Sequence, residues 1–283
     1  MKLQNNMDFI LTIDNLFRNR PKVAWAYIVK DFRNLFRFKL TLLNFVFSPL
    51  LTMVSFLLVY ASVFTVGGVD DLGYVQQENY LIYLLTGFVA YSCFQVSWQK
   101  SNLSGEKIMQ TLEGILLTPR NRLYIMIGKA SRSLFEVMII VLVFSVLMYL
   151  LEPSIDWSRL LIGSLGLGFI FVIFMNIDFI ISAIGMSEEG FQAILTTYIP
   201  RGFLLISCVY YPIATLPEWL HWLVFINPVW YGVNIFRSAF MAADLPYGIF
   251  GPMVYLAVLA IILPFIAARV FEYVLRKYGI KGY

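Results

Sequence analysis

Six stretches of the sequence run for about twenty residues or longer with at most two charged side chains. An α-helix rises about 1.5 Å per residue, so roughly twenty apolar residues are needed to cross about 30 Å of hydrocarbon. The charge-poor stretches therefore predict six membrane-spanning helices. We place them at about 41–65, 79–99, 131–151, 159–186, 190–211 and 245–268.

The composition supports a membrane protein. Only 13% of the 283 residues are charged and 60% are apolar, whereas soluble domains carry about 25% charged residues. This excludes a water-soluble enzyme, a disordered chain and a disulfide-rich secreted domain. The single histidine, His221, has no second ligand nearby in sequence, so no metal site is expected.

Positive charge alternates between the predicted loops. Eight Lys or Arg precede the first span, six lie between residues 100 and 132, and four follow residue 268. The loops after spans one and three carry only acids. Basic loops stay on the cytoplasmic side of a membrane, so both termini are predicted to be cytoplasmic.

A further charge-free stretch, residues 219–236, is interrupted by Asn227-Pro228. Proline lacks a backbone donor and disfavours helix at the residue before it, which leaves two halves too short to cross. Broken helices persist at membrane depth only against protein or a water-filled cavity. We therefore predict a re-entrant hairpin at about 215–240, between spans five and six and on the outer side.

Residues 22–37 have the periodicity of an amphipathic helix. Trp25, Phe32 and Phe36 fall on its apolar face, and Arg33 falls on the basic face. Such a helix lies in the membrane interface. It serves either as a topogenic anchor or as an elbow that transmits partner motion to span one, and the periodicity does not separate these roles. All six tryptophans lie near predicted span ends or in the hairpin, as in an interfacial belt.

A second amphipathic helix is predicted at about 104–118, between spans two and three. Its apolar residues form one stripe at helical spacing, and Thr118-Pro119 ends it. On periodicity alone, a connector lying on the lipid is favoured over a helix that docks on a partner.

Two sequence motifs resemble those of one protein family, and each lies between the same spans as in that family. Residues 111–120 (TLEGILLTPR), between spans two and three, are similar to the cytoplasmic coupling segment of type-two ATP-binding-cassette exporter permeases. That family includes drug-resistance, nodulation-factor, O-antigen and teichoic-acid exporters. Residues 211–220 (YPIATLPEWL), 227–231 (NPVWY) and Arg237 are similar to its outer re-entrant segment. The chain departs from the family at Cys208-Val209-Tyr210, where many relatives have a small Ser-Gly pair.

The resemblance implies that transport and ATP hydrolysis are carried out by different subunits. Permeases of this family pair as six-span subunits, and two copies of a separate subunit bind ATP and Mg and hydrolyse the nucleotide. The chain itself has no phosphate-binding loop, since Leu123 stands where the upstream glycine of the Gly128-Lys129 pair belongs. We therefore expect no enzyme activity and no cofactor in this chain.

The residues assigned to ATPase coupling are Glu106, Ile108, Met109, Leu112, Glu113, Leu116, Pro119 and Arg120. The residues assigned to the outer re-entrant segment are Pro212, Pro217, Trp219, Asn227, Pro228 and Arg237.

Three charges inside predicted spans are candidates for the transport path or for helix packing. Glu136 lies one turn from Arg132, which favours a surface i,i+4 pair. Asp178 and Arg201 lie at similar depths and are expected to pair, or each to face the cavity between protomers. A pair that fixes helix packing and a contact with substrate both remain open.

The sequence thus predicts an all-α polytopic membrane protein, and the resemblance implies a homodimeric permease in the cell membrane of a prokaryote.

 The domains are a cytoplasmic N-terminus (1–40), a transmembrane domain (41–271) and a cytoplasmic tail (272–283). We expect export of a drug or lipid-like compound, with a lipid-linked glycan or polysaccharide as the alternative substrate and an ion-coupled carrier as the more distant alternative. The partners are the ATP-binding subunits, a second permease chain and the lipid bilayer, with no nucleic acid.

Overall fold

The structure, a computed structural model, describes residues 28–29, 32–33, 36–37, 39–65, 71–72, 75–76, 78–98, 123–151, 157–185, 189–241 and 248–278. Six helices of 18 to 29 residues lie at the positions of the six predicted spans. They are α1 (Lys39–Thr65), α2 (Tyr80–Ser97), α3 (Leu123–Leu151), α4 (Trp157–Gly185), α5 (Glu189–Ile206) and α8 (Phe250–Tyr278). Two shorter helices, α6 (His221–Ile226) and α7 (Pro228–Arg237), separate α5 from α8.

Four of the described helices are long and apolar enough to cross a membrane. The apolar stretches are Tyr80–Ser97, Ala130–Leu150, Trp157–Ile184 and Phe250–Val274. A shorter apolar stretch, Met53–Phe64, lies in α1. The structure thus agrees with a helical membrane protein, in which four spans are evident from length and composition.

One small element was not predicted. Asp71–Leu72 (β1) pairs antiparallel with Val75–Gln76 (β2), with Leu72 opposite Val75. Strands of two residues do not change the helical class of the fold. The pairing draws the start of α2 close to the turn, because Asn79 Oδ1 accepts a hydrogen bond from the Gln76 backbone N–H at 2.8 Å.

The core is built around α2 and α4. Residues 83–94 of α2 are all buried, and α4 packs against α2, α5, α7 and α8. Glycines allow the closest of these approaches. A Cβ on Gly163 of α4 would lie 2.9 Å from the Phe236 Cα of α7, and one on Gly232 of α7 would overlap the Ile170 side chain. Small residues bring helix backbones together in membranes in this way.

The predicted break at Asn227-Pro228 is confirmed. Asn227 is extended (φ −76°, ψ 113°), and its Oδ1 accepts a hydrogen bond from the Val229 N–H at 3.0 Å. Pro228 occupies the first turn of α7, where its missing N–H leaves no partner unsatisfied. Helix α6 therefore ends at Ile226 and α7 begins at Pro228, with only Asn227 between them.

The tryptophans only partly follow the predicted interfacial belt. Trp157, Trp219 and Trp222 are exposed, whereas Trp98 and Trp230 are buried. Trp98 lies among the rings of Phe94, Phe174 and Phe203. The belt interpretation is wrong for these two, because at their positions helix packing takes the place of the lipid interface.

Gly163→Val should destabilise the protein, since the new side chain meets the backbone of α7. Overpacking of this kind costs about 1–3 kcal/mol, so the midpoint of thermal unfolding in detergent should fall. Gly168→Val is the matched control, because Gly168 lies on the same helix and a Cβ there meets nothing within 4 Å. Equal midpoints for the two variants would contradict the close contact between α4 and α7.

Candidate functional site

Arg237, the last residue of α7, is fully buried although it carries a charge. Its guanidinium lies 3.6 Å from the ring centroid of Tyr83 on α2. Nη1 donates to the Cys208 carbonyl at 3.1 Å, and Nη2 donates to the Val209 carbonyl at 2.6 Å. One side chain therefore joins α7, α2 and the stretch that follows α5. We call Arg237, Tyr83, Gly87 and the carbonyls of Cys208 and Val209 the arginine clamp.

Neutral groups surround the charge of Arg237. Nη1 also donates to Asn234 Oδ1, and Nη2 to the Tyr83 carbonyl, both at 3.4 Å. The position at the C-terminal end of α7 adds the favourable helix dipole, and the Tyr83 ring adds a cation–π contact. Nε has no hydrogen-bond partner among the described residues. The clamp thus holds a buried cation by carbonyls, a ring and a helix end.

Gly87 provides the space that the clamp needs. A Cβ at this position would lie 2.6 Å from both Arg237 Nη2 and the Val209 carbonyl oxygen. Real Cβ atoms do not come this close to a backbone oxygen. Position 87 therefore accepts only glycine while the guanidinium and the carbonyl occupy their present places.

Cys208 adopts a backbone conformation that is unusual for a residue with a side chain. Its φ is +50°, the only positive φ at a non-glycine residue in the described part of the chain. The left-handed region costs such a residue about 1–2 kcal/mol. The conformation turns the Cys208 carbonyl towards both Arg237 Nη1 and the Tyr83 hydroxyl, which donates to it at 2.9 Å. The turn nevertheless packs closely, with Cys208 and Val209 buried.

Other helices donate hydrogen bonds to the same region. We call residues 207–241 the broken segment, because its short helices leave many backbone carbonyls without a helical partner. The further contacts are Tyr60 Oη to the Tyr210 carbonyl, Tyr255 Oη to the Ile226 carbonyl at 2.7 Å and Arg159 Nη1 to the Ser238 carbonyl at 3.4 Å. In the opposite direction, Asn227 Nδ2 of the broken segment donates to the Phe203 carbonyl of α5 at 3.4 Å. Side chains from α1, α2, α4 and α8 therefore satisfy the backbone that the breaks expose.

The residues predicted for the outer re-entrant segment all lie in the broken segment. Pro212 and Pro217 precede two short 3-10 helices, Ile213–Thr215 and Glu218–Leu220. Pro212 is buried, whereas Pro217 and Trp219 are exposed. His221 Nε2 lies 3.1 Å from the Leu216 carbonyl, and no group that could hold a metal is found among the described residues.

The described N-terminal residues contact the membrane helix α3. The six described positions from Ile28 to Arg37 are helical, and Arg33 is exposed. The Phe135 ring of α3 lies 5.0 Å from the ring centroid of Phe32 and 6.0 Å from that of Phe36. The predicted interfacial helix therefore has a direct aromatic contact with α3. Trp25 lies outside the described residues.

Glu136 and Arg132 form the predicted i,i+4 pair, with Arg132 Nε 3.1 Å from Glu136 Oε1. The expectation of a surface pair is wrong for Glu136, whose side chain is fully buried, while that of Arg132 is 31% exposed. The side chain of Glu136 is covered because its face of α3 packs in the protein core, beside the buried residues Val137 and Ile140. The pair therefore lies next to Phe135 and the N-terminal contact.

The remaining predicted site residues are not brought together by the described contacts. Asp178 is buried on α4 and Arg201 is exposed on α5, so their pairing stays a prediction. The coupling residues Glu106, Ile108, Met109, Leu112, Glu113, Leu116, Pro119 and Arg120 all lie outside the described residues.

Comparison with known families gives one match. A family described as ABC-2 type transporter matches residues 23–241, which is most of the chain. The matched range includes the N-terminal contact, the coupling motif and the arginine clamp. No curated protein matches the sequence significantly.

Arg237→Lys should destabilise the protein even though it keeps the charge. A lysine ammonium lacks the planar fork that reaches the two carbonyls together, and each buried carbonyl left without a donor costs about 1–3 kcal/mol. The midpoint of thermal unfolding in detergent should fall by several degrees. Arg269→Lys, at an exposed arginine of α8, is the control and should leave it unchanged. An unaltered midpoint in Arg237→Lys would contradict the clamp.

Cys208→Gly and Cys208→Ala should differ in stability, although both remove the thiol. Glycine adopts a positive φ without a steric penalty, whereas alanine keeps the cost of about 1–2 kcal/mol. We expect the glycine variant to be more stable than the alanine variant by about 1 kcal/mol in chemical unfolding. The reverse order would show that the backbone at Cys208 is not strained.

Proposed function

Because the chain belongs to the ABC-2 type transporter family, we propose that it is the permease subunit of an ATP-driven exporter of amphipathic or hydrophobic compounds. The observation that carries this proposal is the family match over residues 23–241. ABC-2 permeases lack an ATPase domain and work with separate ATP-binding subunits. In the proposal the partner binds ATP and Mg, and this chain binds no cofactor.

We propose an assembly of two permease chains and two ATP-binding subunits in the cell membrane of a prokaryote. The permease pair is a homodimer, and both termini of each chain are cytoplasmic. The support for this orientation is the alternation of basic and acidic loops along the sequence. In this orientation the broken segment lies at the outer side, and the contact of Phe32 with Phe135 lies at the inner side.

The proposed mechanism is a two-state change driven by the partner. ATP binding draws the ATP-binding subunits together, and the segment at about 104–118 conveys this motion to the spans. The contact of Phe32 and Phe36 with Phe135 offers a second route, from the N-terminal helix into α3. Glu136 pairs with Arg132 beside that contact. At the other end, the arginine clamp keeps the broken segment attached to α2.

The packing of the aromatic residues favours an amphipathic substrate over a glycan. Sugars bind on exposed aromatic faces, yet many rings of this chain stack on one another. The rings of Phe56 and Tyr210 are parallel at 3.7 Å, and Tyr91 and Phe88 also contact Tyr210. A lipid-linked glycan is the alternative substrate for the same machinery.

An ion-coupled carrier is a more distant alternative. It would need a chain of ionisable groups through the membrane. Glu136 is already paired with Arg132, and the only other acid within the predicted spans is Asp178, on α4. These two acids and Arg201 make a poor proton relay.

Export should depend on an ATP-binding partner and on the coupling motif. The purified chain alone should hydrolyse no ATP, whereas the chain reconstituted with its partner should hydrolyse ATP and load inside-out vesicles with a fluorescent amphipathic compound. Leu112→Ala and Glu113→Ala should each reduce the loading about tenfold, which corresponds to a loss of about 1.4 kcal/mol of coupling free energy.

Leu142→Ala is the matched control, because Leu142 is an exposed leucine of α3, and it should leave loading unchanged. Loading by an ion gradient without the partner would contradict the proposed exporter. Loss of a surface glycan in cells that lack the chain, together with no loading of amphipathic compounds, would instead support the glycan alternative.

A further inference from the structure

Arg201 is a charged residue inside a predicted span, and its side chain is exposed on α5. Among the described residues it makes no hydrogen bond and no ion pair. A charge that faces hydrocarbon is costly, so charged residues in membrane helices almost always face the bundle interior or a water-filled cavity. The exposed surface around Arg201 is therefore expected to be polar in the working protein.

Ring contacts fix the part of α5 that carries Arg201. The ring centroid of Phe203 lies 5.8 Å from that of Phe94 and 6.1 Å from that of Trp98, both on or next to α2. It also lies 5.2 Å from that of Phe174 on α4, in an edge-to-face arrangement. This stretch of α5 is thus packed on α2 and α4.

Two polar side chains of α2 lie near the charge. The Tyr91 hydroxyl is within hydrogen-bonding reach of the Gln95 side chain, and the charge of Arg201 acts on the same hydroxyl. Tyr91 is buried and Gln95 is exposed, so the pair lies at the edge of the packed core. At 1.5 Å per residue, Tyr91 is about 16 Å along α2 from Tyr80 and about 9 Å from Ser97. The three polar side chains therefore lie within the span, away from its ends.

The face of α5 around Arg201 is open and otherwise apolar. A Cβ on Gly202 would meet nothing within 4 Å. Tyr198 and Leu205 lie one turn before and one turn after Arg201 on the same helix face, and they are 66% and 63% exposed. A single cation thus stands between two exposed side chains with large apolar surfaces.

We propose that Arg201, Gln95 and Tyr91 bind the phosphate or carboxylate group of an anionic amphipathic compound. A guanidinium presents its N–H donors as a planar fork that matches both kinds of oxyanion. The amide of Gln95 and the hydroxyl of Tyr91 supply further donors, and Tyr198 and Leu205 contact the apolar part of the compound. That this compound is the exported substrate rests on the proposed function, whereas its binding does not.

An ion pair with Asp178 is the competing role for Arg201. Asp178 is buried on α4, and no described hydrogen bond or ion pair links it to Arg201. A cationic compound would be repelled by the like charge, and a neutral glycoside would leave the guanidinium without a counter-charge. The exposed cation therefore favours an anionic ligand.

Binding of a labelled acid to the full chain tests the site. The protein is reconstituted in phosphatidylcholine nanodiscs and titrated with dansyl-labelled undecanoic acid or with its uncharged methyl ester. The wild type should bind the acid more tightly than the ester. Arg201→Met should weaken binding of the acid about tenfold, because a hydrogen bond to a charged group is lost, and should leave binding of the ester unchanged.

Arg269→Met is the matched control, because Arg269 is an exposed arginine of α8, and it should bind the acid like the wild type. Gln95→Leu keeps the charge and should weaken binding of the acid by a smaller factor than Arg201→Met. Wild-type affinity of Arg201→Met for the acid, or an equal loss for acid and ester, would overturn the proposal.

Competition identifies the source of the anionic group. Decyl phosphate should displace the labelled acid, whereas inorganic phosphate at the same concentration should not. Equal displacement by inorganic phosphate would overturn the amphipathic ligand in favour of a free oxyanion.

ATP-driven loading of inside-out vesicles separates this inference from the proposed exporter. Binding of the acid without any ATP-driven loading would contradict the exporter and leave the site intact. Loading of neutral compounds only would contradict the anion site and leave the exporter intact. Restoration of loading by Asp178→Arg combined with Arg201→Asp, after loss in each single variant, would overturn the site in favour of an ion pair.

Discussion

The structure depends on satisfying backbone carbonyls where no water is available. A chain that breaks its helices near the membrane leaves carbonyls without intrahelical donors, and each costs several kcal/mol in hydrocarbon. Here Arg237 donates to two carbonyls of the stretch after α5, and Tyr60, Tyr83 and Tyr255 donate to three acceptors from three helices. The broken segment is therefore held by side-chain hydrogen bonds from Arg237 and from its neighbours in addition to its own short helices.

The two ends of the helical bundle are built differently. At one end, the rings of Phe32 and Phe36 rest on Phe135, beside the ion pair of Arg132 and Glu136. Ring contacts of this kind are worth about 0.5–1.5 kcal/mol beyond the area that they bury. At the other end, the arginine clamp uses directional hydrogen bonds and leaves no space at Gly87. The contact on α3 thus depends on ring packing and one ion pair, whereas the clamp depends on directional hydrogen bonds.

Sequence patterns predicted the helices well, because length and lack of charge are local properties. The same holds for the break at Asn227-Pro228, which follows from proline chemistry. Arg237 was found only by resemblance, and its contacts with Tyr83 and Gly87 were not predicted, since they join residues about 150 positions apart in the chain. The burial of Glu136 was also missed, because the i,i+4 spacing identifies a pair but does not say which face of α3 is covered.

The sequence distance across the arginine clamp bears on how the protein is assembled. Tyr83 lies 154 residues before Arg237, so α2 is synthesised and enters the membrane long before its cation is made. An arginine without these partners is costly in hydrocarbon, by about 2.5–3.5 kcal/mol on insertion scales. A chain that is truncated or misinserted before residue 237 lacks the clamp entirely. Closure of the clamp therefore has to wait until residue 237 has been synthesised.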